Sequence, residues 1–518
     1  MAACTSSVWH RSVTAVLATL LAGCASLPSL EGRTPTTALA ATDGTQLGRL
    51  VAARAAANPS KTGIHPLPDG RDAFAARVLL ANAAEKSLDL QYYIWHGDQI
   101  GYLLFEAVWR AAQRGVRVRL LLDDGGTSGL DDTLAALDAH ANIEVRLYNP
   151  FPVRGARGIN FLSDFSRLNH RMHNKSFTAD NQVAIVGGRN VGNEYYAAGG
   201  GVWFQDLDVI AVGAAVREVS KAFDLYWNSE SAYPAASLVG APAPDAAQAL
   251  AAKFAATRAD PVSASYIEAI RVTPLARQIA AGELQAEWAT ARVLRDDPAK
   301  TLDTTGRTDV LLLSSLLDAV GSPERSFDLV SPYFVPGKKG TQSLAALARS
   351  GTRLRVLTNS YAATDVSVVH SGYAKRRKDL LAAGVVMYEL KPDVAMRGRE
   401  QERSMSGSSS GSLHAKTFAI DGRRLFVGSF NFDERSARLN TEMGLLIDSP
   451  RLAAQLVHAF ETTIPAGAYQ VRLTADGDLE WIERTPAGEK VYASEPGMGL
   501  LMRGWVGFLS LLAIDWML

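Results

Sequence analysis

One stretch of sequence occurs twice in this chain, and it limits the possible folds more than any other feature. The first copy reads HNKSFTAD and continues through VAIVGGRN, and the second reads HAKTFAIDG and continues through LFVGSFN. The first histidine and the last asparagine of the motif each lie 241 residues from their counterparts. This constant spacing indicates an internal duplication, in which two similar halves each contain one copy of the motif.

The alternation of residue types within each copy predicts a strand. His173 and Lys175 are two residues apart, as are His414 and Lys416. Because side chains two residues apart point to the same face of a strand, each copy presents an imidazole and an ammonium on one face. One histidine and one lysine from each half can then meet over a common anion.

A turn is predicted directly after each of these strands. Asp180-Asn181 and Asp421-Gly422 stand between two apolar runs, where a tight hairpin needs residues that tolerate positive φ. Each aspartate is therefore expected in the turn, with a carboxylate available to orient a lysine or a backbone donor.

The two halves repeat the same order of helices and strands around the motif. Strands are predicted at 88–94, 116–122 and 143–148 in the first half, and at 327–330, 354–357 and 385–390 in the second. Amphipathic helices between them end at Gly115 and Gly351. Helix and strand alternation makes each half α/β, with a β-sheet flanked by helices.

At these residues the chain resembles the phospholipase D superfamily, whose paired HxKx4D motifs cut or exchange phosphodiesters. Longer phrases are most similar to the bacterial cardiolipin synthases of the C-type class, namely LQYYIW at 90–95, VRVRLLLDD at 116–124, DFSRLNHRMH at 164–173, LTNS at 357–360 and GSFNFD at 428–433. The resemblance runs from about Phe74 to the C-terminus. It implies two homologous domains related by a pseudo-twofold axis, with a mixed sheet in each and the active site between them.

The resemblance also implies a mechanism that uses no metal and no organic cofactor. One neutral histidine attacks phosphorus and the other, as imidazolium, protonates the leaving oxygen. Family analogy makes His173 the nucleophile, through a phosphohistidine intermediate, and His414 the acid and base. The remaining catalytic predictions are Lys175, Lys416, Asp180 and Asp421, with Asn190 and Asn431 donating hydrogen bonds to phosphoryl oxygens.

In the superfamily an acidic residue downstream of each motif supports the histidine. The matching residues here are Asp206 and Glu442. Asp208 replaces Asp206 if the register differs by one strand period. The other histidines, His96 among them, have no partner at metal-ligand spacing in the sequence, and we interpret them as structural or surface residues.

Composition narrows the partners of the protein. Its 518 residues include 53 basic and 53 acidic side chains, and this balance argues against a general nucleic-acid-binding protein. Phospholipid substrates and a membrane surface are the partners that the resemblance implies. The oligomeric state is open.

The first residues read as an export signal. An apolar run from Val13 ends in LAGC, which is typical of a bacterial lipoprotein signal cleaved before Cys24. Cys24 is then the acylated mature N-terminus of a periplasm-facing, lipid-anchored envelope protein. A plain secretory signal or an uncleaved anchor is the alternative. The better-known cardiolipin synthases differ here, since they have two N-terminal transmembrane helices.

These features divide the chain into six predicted segments. They are a signal peptide at 1–23, a tether with an Ala-rich helix at 24–70, a first domain at 71–235, a linker or helical insertion at 236–305, a second domain at 306–496 and an apolar tail at 497–518. Arg503 and Asp515 interrupt the tail, so we expect a helix that lies in the membrane interface, with a helix packed on the core as the alternative.

Three functions are compatible with this sequence. The first is phosphatidyl transfer that forms cardiolipin, with phosphatidylglycerol as acceptor and phosphatidylethanolamine or phosphatidylglycerol as donor. The second is hydrolysis by a phospholipase D or, less in keeping with the export signal and neutral charge, a nuclease. The third is a lipoprotein without activity, which two intact motifs disfavour.

Overall fold

The computed structural model describes residues 26–199, 203–281, 283–303, 307–309, 311–364, 366–392 and 411–499, and the single residues 502, 504 and 506. Cys24, most of the apolar tail and most of the Ser/Gly run at 404–412 lie outside these ranges.

Helices and strands alternate through both halves. The helices are α1 Gln46–Ala57, α2 Gly70–Ala83, α3 Gln99–Gln113, α4 Asp131–Asp138, α5 Asn160–Leu168, α6 Ala214–Trp227, α7 Ala246–Ala259, α8 Pro261–Arg271, α9 Pro274–Ala280, α10 Leu312–Val320, α11 Gly337–Arg349, α12 Ser367–Ala374, α13 Arg377–Ala382, α14 Glu434–Arg438, α15 Pro450–Glu461 and α16 Thr463–Gly467. The first-half strands are β1 Thr62–Leu67, β2 Ser87–Ile94, β3 Arg117–Gly126, β4 Ile143–Tyr148, β5 Ser176–Ala179, β6 Val183–Gly187, β7 Trp203–Gln205, β8 Asp208–Gly213 and β9 Ala232–Pro234. The second-half strands are β10 Glu287–Arg295, β11 Ser326–Val330, β12 Phe334–Val335, β13 Arg353–Asn359, β14 Val386–Leu390, β15 Gly411–Leu413, β16 Lys416–Ile420, β17 Arg424–Gly428, β18 Phe432–Asp433, β19 Met443–Asp448, β20 Ala468–Leu473, β21 Leu479–Thr485 and β22 Gly488–Tyr492.

The same mixed sheet is built twice. In the first half the strand order is β1-β8-β6-β5-β2-β3-β4-β9, with β2, β3 and β4 parallel. In the second half it is β10-β19-β17-β16-β11-β13-β14-β20-β21-β22, with β11, β13 and β14 parallel. The predicted α/β duplication is confirmed. The stretch from Tyr373 to Leu380, whose apolar spacing favours a single helix, forms parts of two short helices, α12 and α13.

The two sheets meet along their first strands. Antiparallel pairing of β1 with β10 joins them into one 18-stranded sheet. Strand β10 lies inside the stretch 236–305, for which the sequence suggested a linker or helical insertion, and α7 to α9 occupy its earlier part. A shared core of small and branched side chains lies between the halves, including Ala184, Val209, Val427 and Leu445.

Candidate active site

The two histidines lie where the halves meet, and each is held by the backbone of the other half. His173 N donates to Thr441 O at 2.8 Å, beside a bridge between Met172 and Thr441. His414 N donates to Gln205 O at 2.7 Å, where β15 pairs in parallel with β7. Both imidazoles are buried. The site is therefore assembled only when the halves are packed together.

The supporting carboxylates are exchanged between the halves. His173 Nδ1 is 2.8 Å from Glu442 Oε2, and His414 Nδ1 is 2.5 Å from Asp206 Oδ2. The sequence predicted both acidic residues, but not that each supports the histidine of the opposite motif. A carboxylate at Nδ1 holds the ring proton on that atom and leaves Nε2 to face a substrate.

Asp208, the alternative to Asp206, is elsewhere. Its Oδ2 accepts from Arg77 Nη2 at 2.9 Å, and its Oδ1 accepts from Arg189 N at 3.2 Å. The alternative register is therefore wrong, because Asp208 faces a buried arginine pair rather than an imidazole.

Each lysine lies beside its own histidine, but the strands begin later than the spacing predicted, with β5 at Ser176 and β16 at Lys416. Lys175 Nζ donates to His173 O at 2.5 Å and lies 5.4 Å from the centre of the Tyr93 ring. Lys416 Nζ contacts His414 O and lies 2.8 Å from His414 Nδ1. The site thus concentrates two buried cations beside the two rings, which suits an anionic ligand.

Burial and these cations keep the histidines neutral. Burial lowers the pKa of His173 well below its usual value, and the charges of Lys175 and Lys416 lower it further. The pKa of His414 is lowered for the same reasons. Burial also lowers the pKa of Lys175, although Glu442 opposes this. A bound phosphate would offset the ammonium charges and favour imidazolium on one ring.

The Glu442 carboxylate is held more elaborately than that of Asp206. Ser436 Oγ donates to Glu442 Oε1 at 2.8 Å, Ser429 Oγ contacts Oε2, and Asp296 Oδ2 accepts from Glu442 N at 2.7 Å. Burial nevertheless raises the pKa of Glu442 to about 7. Burial raises the pKa of Asp206 as well.

These supporting hydroxyls were not predicted, although the sequence contains one signal for them. Ser429 occupies the motif position that Gly188 has in the first half. A Cβ at Gly188 would collide with the Asp206 carboxylate, so glycine there leaves room for it. The serine at this position in the second copy supports the Glu442 carboxylate with its hydroxyl, whereas the glycine in the first copy leaves space for the Asp206 carboxylate.

The two asparagines differ in their surroundings. Asn190 Nδ2 donates to Tyr195 Oη at 2.9 Å, and its Oδ1 accepts from Ile94 N at 3.2 Å. Asn431 is buried, and its Oδ1 has no hydrogen-bond partner within the part of the chain that the structure describes. Tyr195 lies edge-on to the His414 ring, with the centroids 5.1 Å apart, so Asn190 also positions an aromatic wall of the site.

The motif aspartates are not in the site, which corrects their catalytic prediction. The Asp180 carboxylate accepts from the backbone N–H groups of Glu85, Lys86 and Ser87 at 2.7–3.0 Å. Asp421 accepts in the same way from Glu324, Arg325 and Ser326. Both residues have positive φ in the turns after β5 and β16, at the end of each strand away from the histidine. Their carboxylates fasten this turn to the start of the neighbouring strand.

One group of possible metal ligands lies outside this cluster. Among the described residues, ligand atoms of His96, Asp98 and Glu194 lie within 4.8 Å of one another. Asp98 caps α3 by accepting from Gly101 N, and His96 Nδ1 pairs with Glu194 Oε1 at 3.1 Å. These contacts account for the arrangement, and we assign no ion to it.

Comparison with known proteins places this geometry in a family. The family model described as "Cardiolipin synthase, PLD-like domain" matches twice, at residues 78–227 and 316–464. Cardiolipin synthase C of Escherichia coli K12 is 45% identical over 461 residues, which cover 89% of this chain and 97% of that protein. Major cardiolipin synthase ClsA of Bacillus subtilis 168 is 26% identical over 397 residues, 76% of this chain and 67% of that protein. Phosphatidylserine synthase of Haemophilus influenzae Rd KW20 shares the fold, with a TM-score of 0.56 over 90% of this chain and 99% of that chain at 14% identity.

Paired HxK strands with two histidines between duplicated α/β halves define an enzyme of the phospholipase D superfamily, and this chain belongs to it. Within the superfamily it is similar to the cardiolipin synthases, and its similarity to cardiolipin synthase C extends over nearly the whole of that protein.

Proposed function

We propose that this enzyme is a phosphatidyltransferase that forms cardiolipin from two phospholipids. The observation that carries the proposal is the shared site, in which His173 and His414 are each paired with a carboxylate of the opposite half beside two buried lysines. Similarity to cardiolipin synthase C supports phospholipid transfer as the reaction.

The first step makes and breaks one bond at phosphorus. His173 Nε2 forms a P–N bond to the donor phosphodiester, and the P–O bond to the leaving alcohol breaks as His414 gives that oxygen a proton. Lys175, Lys416 and the Asn431 amide stabilise the charge on the phosphoryl oxygens. The donor phosphate itself raises the pKa of His414 enough for it to act as the acid.

The second step reverses the roles. His414, now neutral, takes the proton of an acceptor hydroxyl, whose oxygen attacks phosphorus while the P–N bond breaks. We propose phosphatidylglycerol as the acceptor and phosphatidylethanolamine or phosphatidylglycerol as the donor. Water at the acceptor position would give phosphatidic acid instead, so the ratio of the two products reports how well the site excludes water.

Expression in a cardiolipin-null bacterium tests this proposal. Cells that contain the enzyme should accumulate cardiolipin labelled from the donor lipid, and cells with His173→Ala or His414→Ala should not, because the two residues act as a unit. Phosphatidic acid without cardiolipin would identify a hydrolase. A single histidine variant with near-wild-type turnover would contradict the shared site.

We propose that the enzyme works at a membrane surface of the bacterial cell envelope, lipid-anchored through Cys24 and facing the periplasm. The described part of the chain contains no helix that is both long and apolar enough to cross a bilayer. One of its short helices supports the membrane proposal. On and beside α5, the side chains of Ile159, Phe161, Leu162 and Phe165 are exposed, with Leu162 89% exposed.

This exposed face lies beside the active site. Asn169, which follows α5, accepts from Arg435 Nη1 at 2.9 Å, and Arg435 is close enough to lower the pKa of His173. Helix α5 is kinked at Asp164, and exposed aromatic and branched side chains such as those on both sides of the kink favour the boundary between headgroups and acyl chains. Contact there would bring the lipid surface to the entrance of the site.

A further inference from the structure

A large apolar cavity lies in the second half, apart from the histidine cluster. It has a volume of about 1090 Å³ and lies between helices α10 and α11 and the sheet. Leu316, Leu344, Phe327, Phe418 and Phe430 contribute apolar walls. Protein interiors are close-packed, and a space of this size is typical of a ligand pocket, for which about 300–1,000 Å³ is usual.

Three helices pack together at the equivalent position of the first half. Helix α2, the counterpart of α10, has 14 residues and buries seven of them, including Phe74 and Leu80. Helices α8 and α9 pack over α2, with Tyr266 of α8 edge-on to Phe74 at 5.7 Å. Helix α10 has only nine residues and buries only Leu312 and Leu316. Helix α10 therefore buries fewer residues than its counterpart α2, and the cavity lies beside it.

The cavity reaches the residues that support the active site. Lys300 lines it, and its Nζ lies 3.1 Å from Asp296 Oδ2 and donates to Ser436 O at 2.9 Å. Asp296 and Ser436 both hold Glu442, the partner of His173. A single residue, Ser436, therefore lies between Lys300 of the cavity wall and the Glu442 carboxylate.

The rim of the cavity carries charges of both signs, while its walls are apolar. Lys339 and Arg438 stand at the rim with Glu324 and Glu434, and Arg438 Nε is paired with Glu434 Oε2 at 2.6 Å. Apolar walls below a charged rim match a long hydrocarbon chain whose polar head stays at the rim. We propose that this cavity binds an acyl chain of a phospholipid. The proposal rests on the proposed function for the identity of the lipid, and it adds a chain-binding site to the phosphate site.

Photolabelling of the full-length protein in detergent micelles tests the proposal without relying on turnover. The probe is phosphatidylglycerol with a diazirine near the end of one acyl chain, and labelled peptides are mapped by mass spectrometry. Labels are expected on α10 and α11, within 311–323 and 339–352. Labels confined to other peptides would overturn the proposal.

Variants that fill the cavity provide the matched comparison. Leu344→Trp should reduce labelling of α10 and α11 by about fivefold or more, a change that corresponds to about 1 kcal/mol of binding. Ser343→Trp, at an exposed position on the same wall, serves if Leu344→Trp does not fold. Leu225→Trp, on α6 and similarly exposed to solvent, is the control that should leave labelling unchanged. Unchanged labelling in folded cavity variants would refute the site.

Competition experiments and a truncation distinguish a phospholipid from other possible occupants of the cavity. Unlabelled long-chain phosphatidylglycerol should compete for the site, whereas competition by a free fatty acid alone would overturn the phospholipid assignment. If labelling appeared only after removal of residues 507–518, the apolar tail would be the natural occupant and the proposal would be wrong. Cavity labelling by a protein that forms no cardiolipin would leave this inference standing and reject only the proposed function.

Discussion

At the scale of single residues, the exchange of carboxylates makes each histidine depend on both halves. The Nδ1 proton of His173 is fixed by Glu442, and that of His414 by Asp206. A carboxylate in this position holds the ring in the orientation that presents Nε2, and it stabilises imidazolium when a proton arrives. Neither half therefore contains both a histidine and the carboxylate that supports it.

Replacing either carboxylate by its amide should therefore slow the reaction. Glu442→Gln and Asp206→Asn are each expected to lower single-turnover rates by about 10²- to 10⁴-fold with little change in KM, because the amide no longer fixes the ring proton. Glu283→Gln, at an exposed position, is the control. Near-wild-type rates in either amide variant would mean that the contact with the histidine is incidental.

The raised pKa of Glu442 also predicts a pH dependence of stability. Its folded pKa of about 7 lies above its ordinary value of 4.5, so the folded protein binds the extra proton. The stabilisation is complete below pH 4.5 and is lost as the pH rises towards 7, by about 1–3 kcal/mol. Urea unfolding across this range should show a shallower decline in Glu442→Gln than in wild type. An equal decline in both proteins would mean that titration of Glu442 does not cause the loss of stability.

The motif aspartates should affect folding rather than chemistry. Asp180→Ala removes the acceptor of three backbone N–H groups and is expected to cost about 2–4 kcal/mol of unfolding free energy. The activity per folded molecule should stay within about threefold of wild type, since the carboxylate does not touch the site. Thermal melts combined with active-site titration measure both quantities. A stable but inactive variant would restore the catalytic role that the sequence suggested.

At the scale of elements, the sequence predicted what local patterns determine. Period-two alternation located β5 and β16, and the glycines after α3 and α11 marked the ends of these helices. The exchange of Asp206 and Glu442 could not be predicted, because it depends on how two sheets pack and no spacing along the chain encodes it. Strand β10 was missed because it lies among Ala- and Pro-rich sequence and its pairing partner β19 is about 150 residues away.

Helix α5 provides a test at this scale. Leu162→Asp should reduce activity on phospholipid vesicles by about tenfold, because a charge is costly at the lipid boundary, while activity on a water-soluble short-chain substrate is kept. Leu225→Asp changes an exposed leucine on α6 and should not distinguish the two substrates. Equal activity of the two variants on vesicles would mean that α5 does not contact the membrane.

At the scale of the whole molecule, attachment to the membrane has to orient the active-site cleft towards the lipid as well as keep the protein at the surface. The proposed acyl chain at Cys24 is one point of attachment, and a single point leaves the protein free to rotate about it. Residues 24–70 are not the tether that the sequence predicted, because Arg33 Nη1 donates to Ala232 O at 2.7 Å and β1 pairs within the sheet. The start of the apolar tail and the residues just before it are fixed to the second half, since the Glu495 carboxylate lies 2.8 Å from His370 Nε2 and 3.0 Å from Arg377 Nη1, and Met498 is buried. A tail that starts from such a rigid point transmits orientation to both halves through the joined sheets.

Removal of residues 507–518 tests whether the tail does this. The truncation keeps Glu495 and Met498 in place, so the fold should persist and the melting temperature should change little. If the tail lies in the membrane interface, activity on vesicles should fall by about tenfold while activity on a soluble short-chain phosphodiester is retained. The comparison of the two substrates separates orientation from chemistry, because both use the same histidines. Equal loss on both substrates, together with a lower melting temperature, would show that the tail packs on the protein core, and the orientation of the cleft would then depend on α5 alone.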